Sequence, residues 1–369
     1  MPFMTDNSHS RKISRELAQL AGKARDADDF RAMADSLVKK TVGWDFAVWS
    51  TVDPPTMLFT SCLIFGMKGD ERIEQRLFDL EFTGDDVNLF TDLALSNQTA
   101  NSMLIATEGS PESSRRYREF LQKMGCGDEL RAVFKAGDIT WGAVVAYRGM
   151  NSEPFSEADV ALLSQIGGAV AEGLRHCLLR TAADVPNRIK EGPGLLLLDQ
   201  NGETIETTPM AEQWISLVAD MAQWKTVVRS LAASTRANQS PAILPIQTGT
   251  GQWLVLHSSP TDSGAVAIIV EEARGIHLTS VISNLYSLTP RERTVVEHVL
   301  QGRPTKDISK ILNISTYTVQ DHLKSIFDKV RVRSRRELVS LLFNQHYVER
   351  RYVHSIPGPY GWYLDDDCH

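Results

Sequence analysis

The stretch from Leu288 to Leu342 constrains the fold more than any other part of this 369-residue chain, because it spells out four short helices together with their start and stop signals. Thr289 stands as an N-cap, Pro290 occupies the first helical position, where its missing N–H costs nothing, and Glu292 completes a capping box. Val295, Val296, Val299 and Leu300 then form one buried stripe, and Gly302 stops the helix. A brief second helix after Thr305 turns Ile308, Ile311 and Leu312 inward. It ends at Asn313, a residue that tolerates the left-handed backbone of a tight turn, before Ser315 caps the next helix.

In that third helix Val319, Leu323, Ile326, Phe327 and Val330 share a face, which leaves Tyr317, Gln320, Asp321, Lys324 and Asp328 outward. Amide and ammonium groups exposed near a helix N-terminus are the kind that reach base edges and phosphates in a DNA major groove. Ser334 and Glu337 make a second capping box, and the fourth helix carries Leu338, Leu341 and Leu342. The pattern predicts a helix-turn-helix.

These residues resemble the LuxR/FixJ-type DNA-binding domain, whose pattern LTxRE…G…KxIAxxLxIS…TVxxHxxxIxxKxxVxxR is met from Leu288 through Arg335, with Ser309 in place of the alanine. The resemblance implies that Gln320, Asp321 and Lys324 face DNA, with Ser315, Thr318, His322 and Lys329 toward phosphate. Two departures bear on sequence preference: Gln320 stands where the family usually has a basic residue, and Arg331 where it has glycine. Gln320 can still pair bidentately with adenine, and Arg331 can serve a phosphate where its backbone accepts the turn.

Charge is segregated in the same sense. The chain carries 39 Lys and Arg against 46 Asp and Glu, a net charge of −7. Residues 285–343 hold eleven Lys and Arg against six Asp and Glu, a net of +5, so the remainder stands at −12. No run of eighteen apolar residues occurs and MPFMTDNSHSRK lacks the apolar core of a signal peptide, so a cytoplasmic location without membrane contact is expected. The four cysteines, Cys62, Cys126, Cys177 and Cys368, lack the CxxC spacing of zinc or thioredoxin-like sites and read as free thiols. Cys368 and His369 beside Asp365, Asp366 and Asp367 read as a frayed tail rather than a metal site.

Residues 12–180 read as one α/β sensor-type domain. Strand-like runs start at Phe46 and Met57, and a later pair, 129–134 and 140–147, is joined by a turn at Ala136, Gly137 and Asp138. A long helix follows, with Ser156 and Asp159 as its capping box and Val160, Leu163, Ile166, Val170, Leu174 and Cys177 along one side. The strand WGAVVAYR and the helix start PFSEADVALL resemble a GAF domain. No AsnLysPheAspGlu-type cyclic-nucleotide motif and no cysteine placed for a bilin accompany it, so no cofactor is expected. A pocket of the GAF or PAS type would be apolar with few polar groups, and the resembling strands offer Trp49, Phe65, Trp141 and Tyr147, with Cys62 nearby.

Pro186 and the IKEGPG stretch mark a linker. Over 190–274 the pattern is a strand from Gly194, a turn at Gln200, Asn201 and Gly202, a strand through Thr204–Thr207, a helix opened by Thr208 and Pro209, and three further strands, which resembles a PAS-type fold. Its Trp214, Trp224 and Trp253 read first as core. A short helix, 279–286, is expected to join this region to the DNA-binding part at 284–344, and the tail 345–369 has no helical period. The expected fold class is thus multidomain α+β: a GAF-like α/β domain, a PAS-like α/β domain, and a C-terminal all-α four-helix LuxR-type helix-turn-helix.

The function these readings imply is a transcriptional regulator that binds double-stranded promoter DNA, works with RNA polymerase, responds to a small-molecule effector, and acts as a homodimer. The seams expected for the dimer are the long helix around Leu163, Val170 and Leu174 and the fourth helix around Leu338 and Leu341. The alternative from another class is a GAF-fold redox enzyme or thiol sensor using Cys62 and Cys126, since GAF folds include a methionine sulfoxide reductase. No GxSxG elbow, HExxH, P-loop or Gly-rich dinucleotide loop supports other enzyme chemistry. The acidic pair, Asp and Lys of a phosphorylated receiver domain are missing as well.

Overall fold

The computed structural model describes residues 7–66, 71–181, 192–218, 221–249, 251–273, 283–344, 356–357 and 363–364. They fall in two compact units, 1–272 and 273–369.

The first unit contains two antiparallel sheets. Helices α1 (Asn7–Lys23) and α2 (Ala27–Val42) lead into strands β1 (Phe46–Val52) and β2 (Phe59–Phe65). Then come α3 (Glu71–Thr83), α4 (Phe90–Leu95), β3 (Ala100–Ser102) and α5 (Met103–Ala106), followed by β4 (Cys126–Ala136), β5 (Ile139–Gly149) and the long α6 (Glu157–Thr181). The sheet order is β2-β1-β5-β4-β3. A two-residue turn at Gly137 and Asp138, with φ +61° at Gly137, closes the β4–β5 hairpin, as the sequence pattern predicts.

Side chains alternate across this sheet. On one face Trp49 is fully buried, stacks on Phe134 with ring centroids 5.3 Å apart, and donates its indole N–H to Asp35 on α2 at 3.0 Å. Burying rings of this size contributes about 2–3 kcal/mol each. Helix α6 packs close on the same face. A Cβ at Gly142 would lie 2.5 Å from Leu174 Cδ1, and one at Gly173 would strike the Phe30 ring at 2.2 Å. Leu163, Val170 and Leu174 are all fully buried inside this one chain. The expected dimer seam on α6 is therefore already filled by the chain's own sheet and its N-terminal helices.

The second sheet is built from β6 (Gly194–Leu198), β7 (Thr204–Thr207), β8 (Ala242–Gln247), β9 (Trp253–Pro260) and β10 (Val266–Glu272), in the order β7-β6-β10-β9-β8. Helices α7 (Pro209–Ser216) and α8 (Met221–Asn238) cover one face. Trp214, Trp224, Val228 and Leu231 meet Leu196, Leu244, Leu256 and Ile268 there, and Trp253 is buried as well, so these tryptophans are core. Helix α8 is an element that the expected order of two strands, a helix and three strands does not include. Leu58, from the turn between β1 and β2, belongs to this second core, which knits the two sheets together. The linker around Pro186 lies outside the described residues.

In the second unit α9 (Pro290–Leu300), α10 (Thr305–Ile311), α11 (Thr316–Val330) and α12 (Arg335–Asn344) are the four helices the sequence predicts. Of the expected joining helix, 279–282 lie outside the described residues and 283–285 are helical. Within the tail, Ile356 pairs with Leu364 and Pro357 with Tyr363. Cys368 and His369 lie outside the described residues.

Candidate functional site

The first candidate site is the outward face of α11. Thr289 accepts the Glu292 N–H at 3.3 Å and Glu292 returns a bond to the Thr289 N–H at 2.7 Å, so α9 is fixed at its start. Asn313 adopts φ +52°, the left-handed turn that swings α11 away from α10, and Arg291 ties α9 to this turn through the Leu312 carbonyl at 2.7 Å. Ser315 caps α11 by accepting the Thr318 N–H at 3.0 Å, and their hydroxyls lie 2.8 Å apart. With Val319, Leu323, Ile326 and Val330 buried, Tyr317, Gln320, Asp321 and Lys324 project outward together, and Tyr317 is 75% exposed.

His322 and Thr318 are half-buried at the edge of this face. Arg331 caps the helix with φ +57° and ψ +41°, so its backbone does take the turn where the family has glycine. Lys329 is placed differently from the other basic residues. Its ammonium donates to Glu292 Oε2 at 2.7 Å and to the Ser287 carbonyl at 3.3 Å, which spends its charge within the domain. Burial pushes the Glu292 carboxyl upward, but the bonds from Lys329, Ser325 and Thr289 prevail and hold it down at about 2.

The second candidate site is a cavity of about 330 Å³ in the first unit. It lies over the face of the first sheet opposite α6. Val48, Ser50, Cys62, Val145 and Tyr147 form its floor, and Phe78, Phe90 and the α8 residues Gln223 and Thr226 close it. Of the five pocket residues expected from sequence, Cys62 and Tyr147 border the cavity. Trp49 and Phe65 do not, because both belong to the helix-covered face: Phe65 pairs with Ala47, two residues from Trp49 on the same side of β1. Trp141 is buried near the β4–β5 turn. It lies four residues before Val145, roughly 14 Å along the strand.

Sequence reasoning missed a buried charge cluster at the cavity rim. Arg131 Nη1 donates to Glu81 Oε2 at 2.5 Å, its Nε sits 3.0 Å from Glu129, and its guanidinium lies over the Phe90 ring at 4.6 Å. Arg116 donates to the same Glu129 at 2.9 Å and lies 3.8 Å from Asp86. Burial alone would raise the Glu129 carboxyl, but the two guanidiniums hold it below its ordinary range. The spacing of Glu129 and Arg131 on one strand face was a visible signal; their partners, 13 to 50 residues away, were not. Helix α8 was visible too, since Trp224, Val227, Val228, Leu231 and Ala232 repeat at helical spacing.

The paired-thiol alternative fails on geometry. Cys62 lies on β2 and Cys126 on β4, with β1 and β5 between them, so about 14 Å of sheet separates the two strands. A disulfide needs Cα atoms within roughly 7 Å. Burial also pushes the Cys126 thiol up to about 11, away from the reactive thiolate. Among the described residues no group of His, Cys, Asp and Glu could hold a metal ion, and no helix is long and apolar enough to cross a membrane.

The fold and the first site define a four-helix helix-turn-helix domain in one unit and a two-sheet α/β arrangement in the other. Residues 286–342 match the family model described as bacterial regulatory proteins, luxR family, and this part of the chain is a LuxR-type domain. Among curated proteins, the transcriptional regulatory protein DesR of Bacillus subtilis (strain 168) is 34% identical over 100 residues, covering 26% of this chain and 50% of DesR. The chain therefore spans about half the length of that relative. Among solved structures, Escherichia coli SdiA is 12% identical, with a TM-score of 0.30 over 90% of this chain and 95% of that one. The phycocyanobilin-bound GAF domain of a cyanobacterial phytochrome is 15% identical, with a TM-score of 0.33 over 46% of this chain and 96% of that one.

Proposed function

We propose that this chain is a LuxR-type transcriptional regulator that binds promoter DNA through α11 and is controlled by its two-sheet sensor unit. The observation that carries the reading is the outward set Gln320, Asp321 and Lys324 on a capped helix whose opposite face is packed into the domain. Gln320 reads a base edge, Asp321 accepts from a cytosine amino group, and Lys324, Ser315, Thr318, His322 and Arg331 serve the backbone. Two copies act together, because paired half-sites one turn apart raise affinity, and the bound dimer works with RNA polymerase in the cytoplasm. No catalytic role is assigned. Relatives that match this domain are named as transcriptional regulators, which supports the same reading.

The test is sequencing of DNA fragments immunoprecipitated with the full chain, followed by titrations of a recovered fragment at two salt concentrations. Lys324→Ala should weaken binding on every sequence and reduce the salt slope by about one. Binding that is unchanged in both titrations would remove α11 as the reading helix. Gln320→Ala should instead cost roughly 1–3 kcal/mol at a single base pair.

A further inference from the structure

The Tyr147 hydroxyl is an uncharged donor in the cavity wall that the protein leaves unused. The residue is 5% exposed, its ring stacks on Phe46 with centroids 4.4 Å apart, and its hydroxyl has no hydrogen-bond partner among the described residues. A hydroxyl that lines a cavity and bonds to no protein group is free to meet a polar group inside it. The charged residues at the rim are paired with one another, although Arg131 Nε and Arg116 Nη1 are buried without a well-directed hydrogen bond. Arg131 is already engaged by Glu81 and Glu129, and Glu81 also accepts the Phe90 N–H at 2.7 Å. Arg116 is likewise spoken for by Glu129 and Asp86. Two guanidiniums face three carboxylates, so the cluster has no positive charge to offer an anion, and a cation entering the mainly apolar space would shed its water without a free carboxylate to meet it.

We propose, resting on the reading of this unit as a sensor, that the cavity binds an uncharged, mainly aromatic or aliphatic ring compound whose single hydrogen-bond acceptor meets the Tyr147 hydroxyl. The phenol is the donor in this pair, because burial and the Glu129 charge keep it protonated. The volume, about 330 Å³, equals on the order of ten waters and suits a one- or two-ring body. Gln223 and Thr226 place α8 in the cavity wall, while Trp224, Val227 and Val228 on the same helix pack into the second core. An occupant is thereby felt by both sheets.

Gln223 also fastens this wall from outside. It accepts the Ser61 hydroxyl at 2.7 Å and donates to Asp28 at 2.8 Å, so α8 is bonded to both β2 and α2.

The experiment follows fluorescence of N-phenyl-1-naphthylamine bound to the full chain and its displacement by four compounds of one shape. These are 2-acetylnaphthalene, which carries a neutral acceptor, 2-ethylnaphthalene, which carries none, 2-naphthoate and 2-naphthylmethylamine. The neutral ketone should displace best. Tyr147→Phe should weaken the ketone about three- to tenfold and leave 2-ethylnaphthalene unchanged. Val145→Phe, which fills the floor and spares the hydroxyl, should abolish dye binding while circular dichroism stays native. The proposal is overturned by absence of dye binding, by tighter binding of either charged compound, or by equal losses for both neutral compounds in Tyr147→Phe. A gel shift of the unliganded chain is run beside it. DNA binding without the ligand series overturns this proposal alone, and the ligand series without DNA binding overturns the regulator reading alone.

Discussion

The two sheets of the first unit have the same strand order and opposite interiors. Counted within each sheet, both run 2-1-5-4-3, and in both the helices between the second and third strands cover one face. Against the second sheet, Trp214, Trp224 and Leu231 of α7 and α8 join Leu196, Leu256 and Ile268 in one apolar core. In the first, the covering helices bring Phe78 and Phe90 over the sheet but leave a cavity of about 330 Å³, with a buried ion cluster at its edge. Topology therefore does not decide whether such a sheet is hollow. The charged side chains at 81, 116, 129 and 131 do, because ionised groups must hold one another at hydrogen-bond distance and cannot be compressed into a close-packed apolar filling.

The largest expected effect tests that statement directly. Glu129→Ala removes the carboxylate between two buried guanidiniums and should destabilise the first unit by about 3–5 kcal/mol, read as the loss in urea midpoint. A cost below about 1 kcal/mol would mean that the cluster is not what holds the hollow sheet together.

The helix-turn-helix supplies a control with a buried carboxylate and no cavity argument. The Glu292 carboxyl is held at about 2, below its unfolded value of 4.5. A depressed carboxylate contributes stability that is fully present above the unfolded pKa and is lost as pH falls through the folded one. Between pH 4.5 and about 2 the domain should lose about 2–3 kcal/mol through this group. Glu292→Gln should flatten that part of the pH profile. Lys329→Ala should act in the same direction, which follows from its place beside Glu292.

How much of this was legible in the sequence follows the range of the signal. The helix-turn-helix was readable almost whole, because caps, stripe and turn all lie within a few residues of one another, as at Thr289 with Glu292 and at Asn313 with Ser315. Strands β1, β2, β4 and β5 were readable from alternation and a turn. β3, three residues long, was not. The cavity is only half readable: Tyr147 and Cys62 border it, whereas the alternation of β1 puts Trp49, an aromatic candidate, on the opposite face. Glu81 and Arg116 reach the site across long loops, and a contact of that kind leaves no local pattern.

A matched pair of enlargements sharpens the contrast between filled and hollow. Val227 is buried on α8 within the second core, where an added methylene must displace close-packed neighbours, so Val227→Leu should cost about 1–3 kcal/mol. Val145→Leu places the same methylene over the cavity and should change stability by less than about 0.5 kcal/mol. Equal costs in thermal denaturation would erase the difference between the two interiors.

The smallest effect concerns the side of the second sheet that is left exposed among the described residues. The first sheet has α6 on its far face, whereas on the second Leu195, Ile243 and Ile269 are 45%, 47% and 42% exposed. They form a row, since Ile269 pairs with both Leu195 and His257, and His257 pairs with Ile243. Ile269→Thr removes little buried surface, keeps the β-branch that suits a strand, and should stay within about 0.5 kcal/mol of the parent. Ile268→Thr, one residue away and fully buried, sets a hydroxyl among Leu196, Leu198 and Leu256 and should cost about 2–3 kcal/mol. The ratio of the two, measured by urea denaturation at low protein concentration, reports how far the two faces differ. A cost for Ile269→Thr that approaches the cost for Ile268→Thr would mean that the outer row is covered in solution, and the second sheet would then be enclosed on both faces like the first.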